Sequence, residues 1–329
     1  MKVSMLRKVR YLVALAVLAL GGAVASAWSK AGHMATGSVA YRVLKAESPA
    51  TIPKVIAILK ESKSYTDYWK KEIAALGDGA DADEYLFMMA SRWADDVRQN
   101  PRYYPEGGPE ANYHYTNKPF KPEGQPDSVK TEVPAEHNIV RAFPVFLEAV
   151  KTETDKEKRA NALCWVLHLV GDSHQPLHST SLYTEKFQVV DHGRLVGDRG
   201  GTKFFVRQRP KAPATNLHAV WDNLLTNKDK YEDNKKAVAL LMAAEEYAPA
   251  KFADEVAVLD MEKWIDESHT LARTKGYTFD GKLLDAGTKE SEAVPLPEGY
   301  FAVAEPVAQR RGVLAGYRMA AILKATLAD

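Results

Sequence analysis

His168 and Asp172 stand four residues apart, His178 follows six residues later, and His218 and Asp222 repeat the four-residue spacing. A residue four positions along a helix returns to the same face, so each His-x3-Asp pair can aim an imidazole and a carboxylate at one point. Imidazole nitrogen and carboxylate oxygen are the donors that catalytic zinc uses. A lone histidine on such a helix reads as an ordinary core residue. Three donors within eleven residues, followed by a second pair, point instead to bound metal.

The elements that must hold these side chains are helical. Apolar residues at three- and four-residue spacing run through 33–44, 52–59, 84–97, 138–150, 159–170, 217–225, 237–247, 261–272 and 307–327. On the helix of His168 and Asp172, Leu163, Leu167 and Val170 are expected to face the core, and Gly171 lets another backbone approach beside Asp172. Gln175-Pro176 ends that helix and re-aims His178 from the following turn. Pro144 should kink or delimit its helix, and Ala315-Gly316 permits close helix contact. Two stretches look non-helical: 102–127, which carries His114, and 179–215, with β-like runs at 187–190 and 203–206 around glycine-rich turns. The expectation is a mostly helical, all-α fold with a small β-hairpin-bearing loop.

Residues 1–27 read as a secretory signal: a basic start (Lys2, Arg7, Lys8, Arg10), an apolar run from Tyr11 to Leu20 too short to span a bilayer, and Ala25-Ser26-Ala27 as a small-x-small cleavage site. Cleavage there makes Trp28 the new N-terminus and leaves 28–329 as a single expected domain, exported to the periplasm or medium. Losing four basic charges leaves 40 basic against 43 acidic residues, a formal −3. Bulk electrostatics then cannot drive nucleic-acid binding, so metal ions and a few local cations must engage any phosphate. The single cysteine, Cys164, excludes an internal disulfide and reads as a buried apolar residue.

Six segments in order carry a resemblance. They are Trp28-x4-His33, Trp93-Ala94-Asp95, His114-Tyr115, His168-x2-Gly171-Asp172-x-His174-Gln175-Pro176-Leu177-His178, Asp198-x-Gly200-Gly201, and Asn216-Leu217-His218-x2-Trp221-Asp222. The chain resembles the zinc-dependent single-strand-specific nucleases and 3′-nucleotidases of fungi, plants and bacteria, which are distantly related to bacterial zinc phospholipase C. The resemblance covers nearly the whole mature chain.

It implies three zinc ions. Asp95, His114, His168 and Asp172 would hold one. The Trp28 amino nitrogen and carbonyl oxygen, His33 and again Asp172 would hold a second, so Trp28 ligates only after cleavage frees its amine. His178, His218 and Asp222 would hold the third. Such ions lower the pKa of water and neutralise phosphoryl charge. Arg98, one helical turn after Asp95, matches an arginine that holds the phosphate, and Asn117 stands where the family places its orienting partner. Tyr115 matches an aromatic that stacks a base, and Gly201 with Thr202 matches a turn that reads base edges. Thr202 replaces the family's asparagine, leaving one hydroxyl in place of an amide. His137, His174, Asp191, His192 and His269 read as structural or exposed.

The implied activity is hydrolysis of single-stranded RNA and DNA to 5′-phosphorylated products, with 3′-nucleotides as further substrates, by a monomer with no stable membrane association. Two alternatives remain open on the sequence: a zinc phospholipase C, whose last pair tends to be His-x3-Glu rather than His218-x3-Asp222, and a non-catalytic zinc-binding protein.

Overall fold

The computed structural model describes residues 28–98, 100, 113–191 and 193–328. The expected signal, His192 and the 102–112 part of the first loop lie outside these residues. Eleven α-helices occur among the described residues: α1 (Lys30–Glu47), α2 (Thr51–Leu59), α3 (Lys70–Ala74), α4 (Ala82–Asp96), α5 (Ile139–Thr152), α6 (Lys156–Ser173), α7 (Leu217–Asp222), α8 (Tyr231–Ala243), α9 (Ala253–Val256), α10 (Met261–Leu271) and α11 (Tyr300–Thr326). The fold is mostly α, as the apolar periodicity predicts.

Several of the long helices start on side-chain caps. Asp81, Asn138 and Asp155 each accept from a backbone N–H of the first turn of α4, α5 and α6, satisfying donors that a helix start leaves unpaired. α6 is central: every residue from Ala162 to Ser173 is buried, and it packs on α2, α4, α5 and α11. The expectation of a single core-facing side is therefore too narrow. α1 packs on α4 and α11. Gly316 of α11 lies on Val39 of α1, where an added Cβ would sit 2.4 Å from the Val39 Cβ. The main apolar core runs from Trp28 to Leu327 and includes all six tryptophans.

Three expectations need correction. α11 begins at Tyr300, before the expected 307, and passes through Pro306. Proline lacks an N–H and disfavours helix before it, but buried Tyr300, Ala304 and Ala308 hold that first part against the core. Of the two roles expected for Pro144, a kink or a boundary, the boundary is excluded, because the proline lies inside α5. Most of 187–190 is not strand. Phe187 N–H donates to the Thr184 carbonyl in a turn, and its ring stacks on Phe204 at 5.2 Å, which explains its apolar character.

Strands are short. Val190–Asp191 pairs with Arg194–Leu195 as a hairpin, and Phe205–Arg207 lies between antiparallel Ala214–Asn216 and parallel Val294–Pro295. Lys118–Phe120 pairs in parallel with Thr180–Leu182, Lys118 opposite Thr180. This last pairing brings the His114 segment alongside the His178 turn.

Candidate metal centre

α1, α4 and α6 meet one another, and each contributes donors at the junction: His33 from α1, Asp95 from the end of α4, His168 and Asp172 from α6. His114 enters from the loop before Lys118. His114 Nδ1 lies 2.9 Å from His168 Nε2, and both nitrogens lie 3.1 Å from Asp172 Oδ2. Asp95 Oδ1 is 3.9 Å from each of the two nitrogens. Donors set tetrahedrally at zinc distances of about 2.0–2.1 Å are spaced by about 3.4 Å, the middle of this range.

The other oxygen of Asp172 faces different imidazoles. Oδ1 lies 3.2 Å from His33 Nε2, yet neither atom completes a hydrogen bond. Trp28 is fully buried beside this pair, its indole N–H donating to the Gly171 carbonyl at 2.9 Å. Gly171 is required by close approach: an added Cβ would stand 2.8 Å from His33 Nδ1.

A further group forms on the other side. His178 and His218 stack at 4.9 Å, Asp222 Oδ2 lies 3.7 Å from His218 Nε2, and one donor atom from each of the three falls within 4.8 Å of the others. Ser29 N–H donates to the Asp222 carbonyl at 2.9 Å, tying the start of the described chain to α7.

Backbone carbonyls fix three of the imidazoles. His168 Nδ1–H donates to Ser91 O (2.9 Å), His178 Nδ1–H to His114 O (2.7 Å) and His218 Nδ1–H to Gly200 O (2.6 Å). Each bond places the proton on Nδ1 and so makes Nε2 the lone-pair nitrogen of its ring. The Gly200 carbonyl is available because the turn holds Arg199, Gly200 and Gly201 at φ of 55°, 63° and 85°, and the two glycines adopt that region without a Cβ penalty.

Burial first, and then the neighbouring His168, lowers His33; burial and the Arg98 guanidinium lower His114 to about 4; burial lowers His178 to about 3. These imidazoles are thus neutral and able to donate lone pairs. Burial also disfavours charge on His168, but the Asp172 and Asp95 carboxylates outweigh it and raise that imidazole. Asp172 is the reverse: burial raises it, and the facing His168 and His178 pull it well below the carboxylate range. Burial pushes Asp222 well above that range, with Asp95 and Asp172 adding repulsion against the Gln175 hydrogen bond.

The donor set fits metal. His33 Nδ1 and Nε2, Asp95 Oδ2, His114 Nε2, Asp172 Oδ1 and His178 Nε2 are buried without hydrogen-bond partners. A buried polar atom left unpaired costs about 1–3 kcal/mol, and those that face the donor groups, such as His33 Nε2 and Asp172 Oδ1 at 3.2 Å, call for a cation. Three groups of His and Asp side chains could each hold a metal ion: His33, His168 and Asp172; Asp95, His114 and His168; His178, His218 and Asp222.

The remaining expected site residues surround these groups. Arg98 Nη1 lies 3.5 Å from Asp95 Oδ1. The Tyr115 ring is half-buried, edge-on to His178 at 6.4 Å. Asn117, at φ 55°, places its Oδ1 3.5 Å from where a Gly200 Cβ would be. Gly201 accepts from His218 N–H at 3.4 Å, and the Thr202 hydroxyl is buried without a hydrogen-bond partner. Of the histidines read as structural, His174 meets Arg318 at 2.9 Å and His269 meets Thr180 at 2.9 Å. Asp191 pairs with Arg199 at 2.7 Å. Sequence reasoning missed the carbonyl anchors and the side chain of Gln175, which donates to Asp222 Oδ1 at 2.7 Å. Only the position of Gln175, between the donors Asp172 and His178, could have suggested it.

The S1/P1 Nuclease family model matches residues 28–328. The chain belongs to the S1/P1 nuclease family. Endonuclease 1 of Arabidopsis thaliana is 23% identical over 310 residues, covering 92% of this chain and 88% of the plant protein. Endonuclease 4 of the same plant is 23% identical over 308 residues, covering 90% and 88%. Nuclease S1 of Aspergillus oryzae is 22% identical over 258 residues, covering 74% and 80%. As an S1/P1 nuclease the chain is a phosphodiester hydrolase whose substrates are nucleic acids, and zinc suits both the family and the donor set. Neither the phospholipase nor the non-catalytic alternative is favoured. Among the described residues no helix is long and apolar enough to cross a membrane.

Proposed function

We propose that this S1/P1 nuclease is an exported endonuclease that hydrolyses single-stranded RNA and DNA to 5′-phosphorylated products and removes 3′-phosphates from nucleotides. Three zinc ions serve it, held by Asp95, His114, His168 and Asp172; by His33, Asp172 and the freed main chain of Trp28; and by His178, His218 and Asp222. The observation that carries the reading is Asp172, a fully buried carboxylate whose two oxygens face different imidazoles at 3.1 and 3.2 Å. That arrangement supports a bridging role for Asp172. When bound, the ions supply an activated water near neutral pH and Lewis acidity at the phosphoryl oxygens.

The protein's own groups do the rest. Arg98, whose guanidinium lies 3.5 Å from Asp95 Oδ1, is assigned to hold a phosphoryl oxygen by charge-assisted hydrogen bonds, and Asn117 is assigned to orient it. Tyr115 offers a ring on which an unpaired base stacks, worth about 1–3 kcal/mol per base. Gly201 and Thr202 form the turn assigned to the base edge, with the Thr202 hydroxyl buried behind it. Export is supported by the family match beginning at Trp28 and by the burial of Trp28 against Gly171, next to Asp172. The mature protein acts as a monomer without stable membrane attachment.

The test is product mapping on a labelled oligonucleotide that joins a single-stranded tail to a duplex, beside phosphate release from a 3′-nucleotide and hydrolysis of phosphatidylcholine. Cleavage confined to the tail, 5′-phosphate ends and nucleotide dephosphorylation are expected. Duplex cleavage at equal rate, or turnover of the lipid alone, would overturn the proposal.

A further inference from the structure

The side chain of Gln175 makes two hydrogen bonds in opposite directions, both fully buried. Its Oε1 accepts from the Leu177 N–H at 2.6 Å, which caps the short 3-10 turn Pro176–His178. Its Nε2 donates to Asp222 Oδ1 at 2.7 Å. The backbone N–H of Leu177 can only donate, so the amide oxygen must face it and the amide nitrogen must face Asp222. The orientation of the amide is thereby fixed by chemistry.

We infer that Gln175 is the positioning residue of the His178–His218–Asp222 group, presetting two of its three donors for a divalent cation. Resting on the zinc reading proposed above, this names a residue that touches neither metal nor substrate. The first hydrogen bond fixes the turn that carries His178, whose Nδ1 is held by the His114 carbonyl and whose Nε2 is left open. The second occupies Asp222 Oδ1, so Oδ2, 3.7 Å from His218 Nε2, is the oxygen free to ligate. A neutral amide can serve both partners at once. A glutamate of the same shape cannot: it still accepts from Leu177, but its second oxygen faces an Asp222 oxygen at hydrogen-bond distance, so the pair either traps a proton or sets two negative charges against each other, and neither leaves Asp222 poised for a cation.

Loss of an outer partner of a metal ligand typically costs about 10–100-fold in metal affinity. The experiment is zinc content of the mature wild-type protein, Gln175→Glu and Gln175→Met, measured by elemental analysis after dialysis against graded chelator, with circular dichroism to establish folding. Wild type is expected to hold three zinc ions. Both variants should release one ion at chelator strengths about 10–100-fold weaker than wild type requires and keep the other two. Gln175→Met tests the lost hydrogen bonds without an added charge, and keeps the test decisive if the glutamate variant fails to fold. Release of all three ions together would mean a general packing role and overturn the inference, as would release midpoints equal to those of wild type. A wild type that never binds an ion at His178, His218 and Asp222 would instead sink the zinc reading itself, and this inference with it.

Discussion

Asp172 and Asp222 both sit four residues after a histidine, and only their surroundings separate them. Asp172 faces four imidazoles, His33, His114, His168 and His178, within 3.8 Å, whereas Asp222 faces His218 and Gln175. Asp172→Asn should therefore lower activity and zinc content more than Asp222→Asn does, exceeding the roughly 10–100-fold of an outer-shell change. Equal losses in kcat/KM and metal content would argue against bridging. Gly171→Ala would force a methyl against His33, and overpacking of that kind costs about 1–3 kcal/mol. Thermal melting should fall and the His33 ion should be lost first. Asp198 gives a pH signature, because burial lifts it to about 6 from 3.8. The folded chain then binds its proton more readily than the unfolded chain, so its contribution to stability falls as pH rises through that window and is level above it. Asp198→Asn keeps an acceptor for the Leu182 N–H, which Asp198 Oδ1 takes at 2.8 Å, and should flatten the fall in melting temperature of metal-free protein over pH about 4 to 6. The i,i+4 donors were legible because their spacing is local. The Ser91, His114 and Gly200 carbonyls that orient the rings were not, since tertiary packing alone brings them 77, 64 and 18 residues along the chain to their partners.

At the scale of elements, α7 is the clearest case of a helix that exists for what it presents. Six residues are too few for a helix to hold itself in water, yet α7 must keep His218 and Asp222 one turn apart. It is held from outside. Asn216 caps it by accepting from Ala219 N–H at 2.8 Å, and the buried Trp221 indole donates to the Tyr300 hydroxyl at 2.8 Å. Asn216→Ala should cost about 1 kcal/mol of stability and, because the cap lies two residues from His218, should reduce zinc at that group more than at the others. Unchanged metal content with a lowered melting temperature would limit Asn216 to capping. Sequence periodicity located α1, α4, α5 and α6 because each is long enough to display its pattern. It failed at Tyr300, where burial overrides the signal of Pro306, and at the short strands, whose two or three residues carry too little alternation to read.

Across the whole molecule, the start of the described chain docks at the donor groups and its last helix packs behind them. Trp28 and Ser29 dock on Gly171 and Asp222, and α11 packs on α1 and α6 behind them. A chain that began at Trp28 after the proposed processing would have its α-amine at this point, and its formal −3 charge would leave contact with phosphate to bound cations. One extra residue before Trp28 should cut zinc content and activity sharply, while removal of metal by a chelator should lower the melting temperature by uncovering the unpaired buried donors. Full activity in the extended form would exclude the amine as a ligand. The most direct measurement is an anomalous-scattering map of the mature protein at the zinc edge. Three peaks are predicted, each about 2.0–2.2 Å from its donors: one among Asp95, His114, His168 and Asp172, one among Trp28, His33 and Asp172, and one among His178, His218 and Asp222. A map with no peak between these side chains would contradict the account.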